Sequence, residues 1–172
     1  MSRLQKYVIT AMCITLCTVL PLALHAVPGA GNTVLPIHIP VLLCGLLLGW
    51  YFGLLAGIFG PLLSSFVTGM PTPVQLPYMV VEIATYGAVA GLMMSIMRTK
   101  NKYVNLYTSL IIAMIAGRIL GGAVRAFFFT TGEVSLYLWV SSYFITSAPG
   151  IIIQLILVPT IIVALQKAKI VR

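Results

Sequence analysis

Six apolar stretches, each at or somewhat below the length that crosses a bilayer, decide what this chain can become. They run from Leu4 to Leu24, Ile37 to Trp50, Tyr51 to Thr68, Pro77 to Met97, Asn105 to Phe128 and Ser142 to Leu165. Crossing the hydrocarbon takes about 20 apolar residues, because each adds roughly 1.5 Å along a helix. In that medium every backbone N–H and C=O must be satisfied within its own segment, so such runs fold as helices. The second stretch is the short one. Only 7% of the residues are charged and 60% are hydrophobic, with a mean hydropathy of +1.11, which excludes a water-soluble core. The expectation is a single integral membrane domain over residues 1–172, an all-α bundle of six transmembrane helices with a ligand pocket at its outer face.

The net charge of +8 would suggest nucleic acid in a soluble protein, but here the basic residues cluster at segment ends. Arg3 and Lys6, then Arg98, Lys100 and Lys102, then Lys167, Lys169 and Arg172 form three groups that six crossings place on one side. Cytoplasmic loops hold lysine and arginine in excess, so that side is expected to be the cytoplasm, with both termini there. The opposite loops, Ala26 to Pro36, Gly69 to Leu76 and Phe129 to Ser141, contain neither residue. The first apolar run, Tyr7 to Leu24, exceeds the roughly 7 to 15 residues of a signal core and lacks a clean A-x-A site, so it is expected to remain as a helix. Trp50 and Tyr51 at the inner surface, and Tyr137, Trp139 and Tyr143 at the outer, suit interfacial aromatic belts. Val134 to Phe144 is apolar but too short to span, which fits either a re-entrant piece lidding a cavity or an aromatic anchor on lipid.

Cys13, Cys17 and Cys44 lie in apolar stretches, and no histidine or carboxylate stands near Cys13 and Cys17 in sequence to complete a metal site. No metal and no cofactor are expected. Gly45, Gly49, Gly53 and Gly57 recur every four residues, with Gly60 close behind, a small-residue stripe that lets helix backbones approach closely. On the first segment Ala11 and Thr15 form a small-xxx-small pair, continued by Thr18, where a partner helix could dock or internal packing could occur.

The chemistry concentrates at Arg118 and Arg125, inside an otherwise uncharged stretch from Val104 to Gly132. An arginine at bilayer depth is costly and is seldom kept without use. Arg118, Gly121, Gly122 and Arg125 fall at i, i+3, i+4 and i+7, which puts both guanidinium groups on one helix face about 10 Å apart along the axis. On the fourth segment Tyr78, Glu82 and Tyr86 recur every four residues, a carboxylate flanked by two phenols. One carboxylate neutralises one arginine, and the other guanidinium matches the carboxylate of an anionic substrate. The alternative is that Arg125 snorkels to the outer surface while Arg118 pairs with Glu82. Asn32, His38, Gln75 and Gln154 could line the same cavity. Catalysis is not expected: Glu82 and Glu133 are the only acidic residues, and there is no HExxH, GxSxG or Walker A sequence.

Several motifs together resemble those of the six-helix substrate-binding subunits, or S components, of energy-coupling factor (ECF) vitamin transporters. They are Ile39-Pro-Val-Leu-Leu-Cys-Gly45 leading into the glycine stripe, Gly60-Pro-Leu-Leu-Ser-Ser65, Thr68-Gly-Met-Pro71, Glu82-Ile-Ala-Thr-Tyr-Gly87 with Gly91, and Ala116-Gly-Arg118. The resemblance implies capture of a vitamin at the outer face without ATP hydrolysis by the chain itself. It also implies a transmembrane coupling subunit and two cytoplasmic ATPases as partners. The family's AxxxA coupling motif would fall on Ala11 and Thr15, where the second alanine is replaced. The pattern looks most like members assigned to pantothenate; pyridoxine, hydroxymethylpyrimidine, folate and cobalamin are the alternatives. From other classes, a structural cell-shape scaffold and a self-sufficient secondary transporter compete.

Overall fold

The computed structural model describes residues 1–24, 34–97, 99–128, 141 and 145–168. Among these residues run six helices: α1 (Arg3–Leu24), α2 (His38–Leu48), α3 (Trp50–Thr68), α4 (Leu76–Ile96), α5 (Lys102–Phe128) and α6 (Ala148–Lys167). No strand occurs among the described residues. Each expected segment coincides with one helix. The sixth, expected from Ser142, begins at Ala148, and residues 142–144 lie outside the described part.

Five of these helices are long and apolar enough to cross a membrane; α2, with 11 residues, is not. At 1.5 Å per residue it measures roughly 16 Å, about half the hydrocarbon thickness, so the second segment is shorter than the crossing read from the sequence. The stop is Gly49, whose φ of +100° belongs to glycine and which donates its N–H to Gly45 O at 2.9 Å. Burial accounts for the rest: every α2 residue except Leu43 and Leu47 is buried, so the helix is apolar all round because protein surrounds it. It lies between two core clusters. One side joins Ile39, Leu42 and Leu46 to Tyr86, Leu110, Met114, Val158 and Ile162; the other joins Val41, Cys44 and Leu48 to Cys13, Cys17, Ala56 and Ile83.

Glycines set how closely the helices meet. A Cβ on Gly45 or on Gly53 would strike the backbone of Gly87, and one on Gly57 would strike that of Ala84. The stripe therefore marks a seam in which α2 and α3 lie backbone to backbone against α4. Beyond α3 the chain turns through Gly69, φ +72°, while Ser64 Oγ and Ser65 Oγ donate to Met70 O and Pro71 O, both at 2.7 Å. Two of the quoted motifs thus build one capped turn. All three cysteines are free and buried, and they pack in the second cluster.

Contacts along the helices fix their relative ends. Lys6 Nζ lies 5.7 Å from the Phe52 ring centroid, and Gly91 abuts Trp50, so the start of α1, the α2–α3 junction and the end of α4 share one end of the bundle. Lys100 and Lys102 follow α4 and start α5, at that same end. Their loop is held by Asn105, whose Oδ1 accepts the Thr99 N–H and whose Nδ2 donates to Thr99 O, each at 3.2 Å. Ala11 and Thr15 are exposed on α1, but Thr18, expected on their face, is buried. A helix drifts about 20° per seven residues, and here the drift carries Thr18 toward buried Cys17.

Candidate functional site

The α4 stripe carries the carboxylate into the bundle. Glu82 is 7% exposed and Tyr86 fully buried, because α5 offers them Gly117 and Gly121: a Cβ on Gly117 would strike the Tyr86 ring, and one on Gly121 the Glu82 side chain. Glycine at i and i+4 on α5 thus makes the groove that seats Glu82 and Tyr86, themselves at i and i+4 on α4. Tyr86 donates its hydroxyl to Glu82 Oε1 at 3.4 Å. From the first turn of α2, His38 brings Nε2 to 3.7 Å from the same oxygen and sets its ring edge-on to Tyr86, centroids 5.0 Å apart. Neither ring nitrogen of His38 has a hydrogen-bond partner among the described residues, although the residue is buried.

Arg118 follows Gly117 directly and is 2% exposed. It projects beside the α4 groove toward the start of α6, where its Nη1 donates to Ser147 Oγ at 3.2 Å. Ser147 is the residue preceding α6, and its hydroxyl makes no capping bond to that helix. Its oxygen serves the guanidinium instead of the orphan N–H groups of the first helical turn, where a serine at this position ordinarily acts.

The two arginines do not share one environment. Both stand on the same face of α5, but Arg125, two turns nearer the helix end, is exposed, with its guanidinium carbon 5.5 Å from the half-buried Tyr78 ring centroid. Arg118 is thus buried and Arg125 stands at the rim; roughly 10 Å of rise separates the packed middle of α5 from its open end. Glu82, expected to compensate one arginine, is engaged by His38 and Tyr86.

Gln154 lies on α6 seven residues after Ser147, hence on the same face, and is completely buried. Neither Oε1 nor Nε2 of its carboxamide has a hydrogen-bond partner among the described residues. Gln75 is placed elsewhere: it precedes α4 in a turn and accepts the Thr72 N–H at 3.4 Å through Oε1. Asn32 lies outside the described residues. The structure therefore brings together His38, Glu82 and Tyr86, sets Arg118 next to them through Gly117, leaves Arg125 with Tyr78 at the rim, and buries Gln154 deeper. Ser147 is the member that sequence reasoning missed. Its signal was present in Ser147-Ala-Pro-Gly150, a serine followed by a proline in the first turn, which is punctuation for a helix start.

Away from this cluster, a groove of about 300 Å³ opens beside Trp50, Ala88, Val89 and Leu92, all apolar and near the lysine-bearing end. It holds no polar group of the candidate site.

No curated protein and no solved structure matches this chain significantly. The family described as ECF transporter, substrate-specific component matches residues 5–162, a span that takes in all six helices but for the first two residues of α1 and the last five of α6. By that match, and in keeping with a multi-pass helical bundle carrying buried polar groups, the chain belongs to the family of substrate-specific components of ECF transporters.

Proposed function

We propose that this substrate-specific component captures an acidic vitamin, pantothenate foremost, at the outer side of a bacterial plasma membrane and holds its carboxylate at Arg118. The observation that carries the reading is the placement of Arg118: 2% exposed, in the apolar middle of α5, directed at the Ser147 hydroxyl and beside the buried His38, Glu82 and Tyr86. A guanidinium in such surroundings is matched by a carboxylate in two parallel hydrogen bonds, and the low-dielectric setting strengthens both. Tyr78 and Arg125 stand at the mouth, where an exposed cation attracts anions toward the buried one. His38, Tyr86 and Gln154 supply further polar contacts in this reading, joined by Gln75 and Asn32 from the segments expected on the outer side.

In this reading all six helices form one domain, both termini are cytoplasmic, and the lysine-bearing end faces inward. The end that holds Arg118 and Ser147 then faces outward. Uptake is driven by the ATPases of the ECF module acting through its transmembrane subunit. The exposed strip of α1 that includes Ala11 and Thr15 provides the coupling surface. Other vitamins of the same transporter class are the alternatives. The full-length protein, purified without added vitamin, should carry a co-purifying acid identifiable by mass spectrometry, and uptake into liposomes should require added coupling and ATPase subunits. No bound small molecule, together with no thermal shift from any vitamin, would reject the reading in favour of a structural scaffold; uptake without ATPases would reject it in favour of a secondary transporter.

A further inference from the structure

We infer that the substrate carries, besides its acid group, a neutral group that both donates and accepts hydrogen bonds, of the amide or ureido type, and that Gln154 is the residue that selects for it. The inference rests on the reading of Arg118 as the acid-binding residue. Gln154 is 0% exposed in a helix that is otherwise apolar through its middle, and both ends of its carboxamide are without a hydrogen-bond partner among the described residues. A primary amide removed from water and left unpaired is strongly unfavourable, so the position is stable only when another molecule supplies the missing donor and acceptor. Because the carboxamide presents C=O and NH₂ side by side, the group complementary to it is one that offers N–H and C=O, or N–H and a ring nitrogen, within one planar unit.

Geometry ties this requirement to the acid site. Ser147, which receives the Arg118 hydrogen bond, and Gln154 stand seven residues apart on one face, roughly 10 Å along the axis. Helical side chains lean toward the helix N-terminus, so the Gln154 carboxamide is tilted back toward Ser147 and the separation of the two head groups is less than that. A molecule reaching both therefore places its acid and its amide-like group within about 10 Å of each other. Ser109 on α5, likewise fully buried with no hydrogen-bond partner among the described residues, is nine residues from Arg118 and so half a turn round the helix; it does not belong to this column. His38, buried beside Glu82 with neither ring nitrogen hydrogen-bonded among the described residues, adds a second polar group near the acid end.

The test uses the full-length protein in lipid nanodiscs and calorimetric titration with two sets of acids. Pantothenate, biotin and folate carry an amide, ureido or aminopyrimidine-type group; nicotinate and lipoate are acids without one. Wild type should bind a member of the first set at least about tenfold more tightly than either member of the second. Gln154→Leu should erase most of that preference while the ligand-free protein melts no lower than wild type, a combination that a purely structural glutamine would not give. Tightest binding of nicotinate or lipoate, or an unchanged preference in Gln154→Leu, would overturn this inference and leave Arg118 as the acid-binding residue intact. Gln154→Leu that melts far lower would also overturn it, by assigning the glutamine to the fold, with Gln154→Met as the check on volume. If no acid of either set binds wild type, the underlying reading fails, and this one with it.

Discussion

Replacing Arg118 and Arg125 by alanine, one at a time, separates an interior binding residue from a peripheral one. Arg118 is 2% exposed and hydrogen-bonded across to the start of α6, whereas Arg125 is exposed and rests near a tyrosine ring. Truncating one member of a buried, hydrogen-bonded charge pair costs about 2–5 kcal/mol, much of it from leaving the other charge unmatched. At about 1.4 kcal/mol per decade that is roughly 30-fold to a few thousandfold in the affinity for an acid such as pantothenate. Charge interactions at an exposed position contribute about 1 kcal/mol or less, so Arg125→Ala should weaken binding by no more than about fivefold. The larger part of its effect should fall on the association rate, and it should shrink as salt is raised. Titration calorimetry of the two variants in nanodiscs, with stopped-flow association at low and high salt, reads both quantities. Thermal melting of the ligand-free proteins guards against misfolding. Equal losses for the two variants, or native affinity in a folded Arg118→Ala protein, would refute the placement of the acid at Arg118.

Other substitutions address the scaffold and the coupling surface. Tyr86→Ala empties a fully buried position packed on Gly117 and should destabilise the protein by about 3 kcal/mol or more, while Tyr86→Phe removes only the bond to Glu82 and should cost about 1 kcal/mol; denaturant melts that rank the two equally would contradict the packing assigned to the ring. Gly87→Leu would force a side chain into the backbone of Gly53 and should lower the melting temperature by the equivalent of several kcal/mol, since overpacking here cannot be relieved by a rotamer change; a melt like that of wild type would show that α3 and α4 are not held backbone to backbone. Ala11→Trp or Thr15→Trp lies on an exposed face and should leave vitamin binding native but slow ATP-driven uptake at least several-fold; uptake at the wild-type rate would place the coupling surface elsewhere, and joint loss of binding would point to misfolding.

The six apolar segments were legible as helices because the hydrocarbon imposes length and apolarity directly on the sequence, but the short second helix and the start of the sixth were not. Gly49 and Gly69 mark the two ends of α3, and both adopt positive φ, the property that reserves such positions for glycine. The glycine stripe was legible as packing, but its partner was not, because Gly87 and Gly91 belong to a different segment and no period links the two. The shared face of Arg118 and Arg125 followed from their spacing, yet spacing says nothing about where the neighbouring helices stop covering that face. Depth decides burial, and depth is set by those neighbours. The contacts of Glu82 with a second segment were hidden for the same reason. It meets Tyr86, one turn along α4, and His38 on α2, and only the fold brings α2 alongside. Gln154 could be named as a polar residue in an apolar helix, but its lack of a hydrogen-bond partner is a property of the packed interior.

The same packing divides the chain into positions whose chemistry is fixed and positions whose chemistry is free to vary. Gly45, Gly53, Gly57, Gly87 and Gly91 meet other backbones, and no larger residue fits there without separating two helices. Gly117 and Gly121 are held in the same way by Tyr86 and Glu82. These constraints bind α2 to α5 together through contacts that do not involve α6. Among the described residues α6 packs chiefly on α2 and more lightly on α5, through side chains such as Val158 and Ile162. Side-chain packing accepts substitutions of similar volume far better than backbone contact accepts any side chain at all. Ser147 immediately before α6 and Gln154 within it lie on one side of that helix, and Ser147 meets an arginine whose own position is set by the glycine-built groove beside it. A change of ligand is therefore most readily accommodated along this one helix face, where a new polar group alters what is bound without disturbing the seam that holds the bundle together.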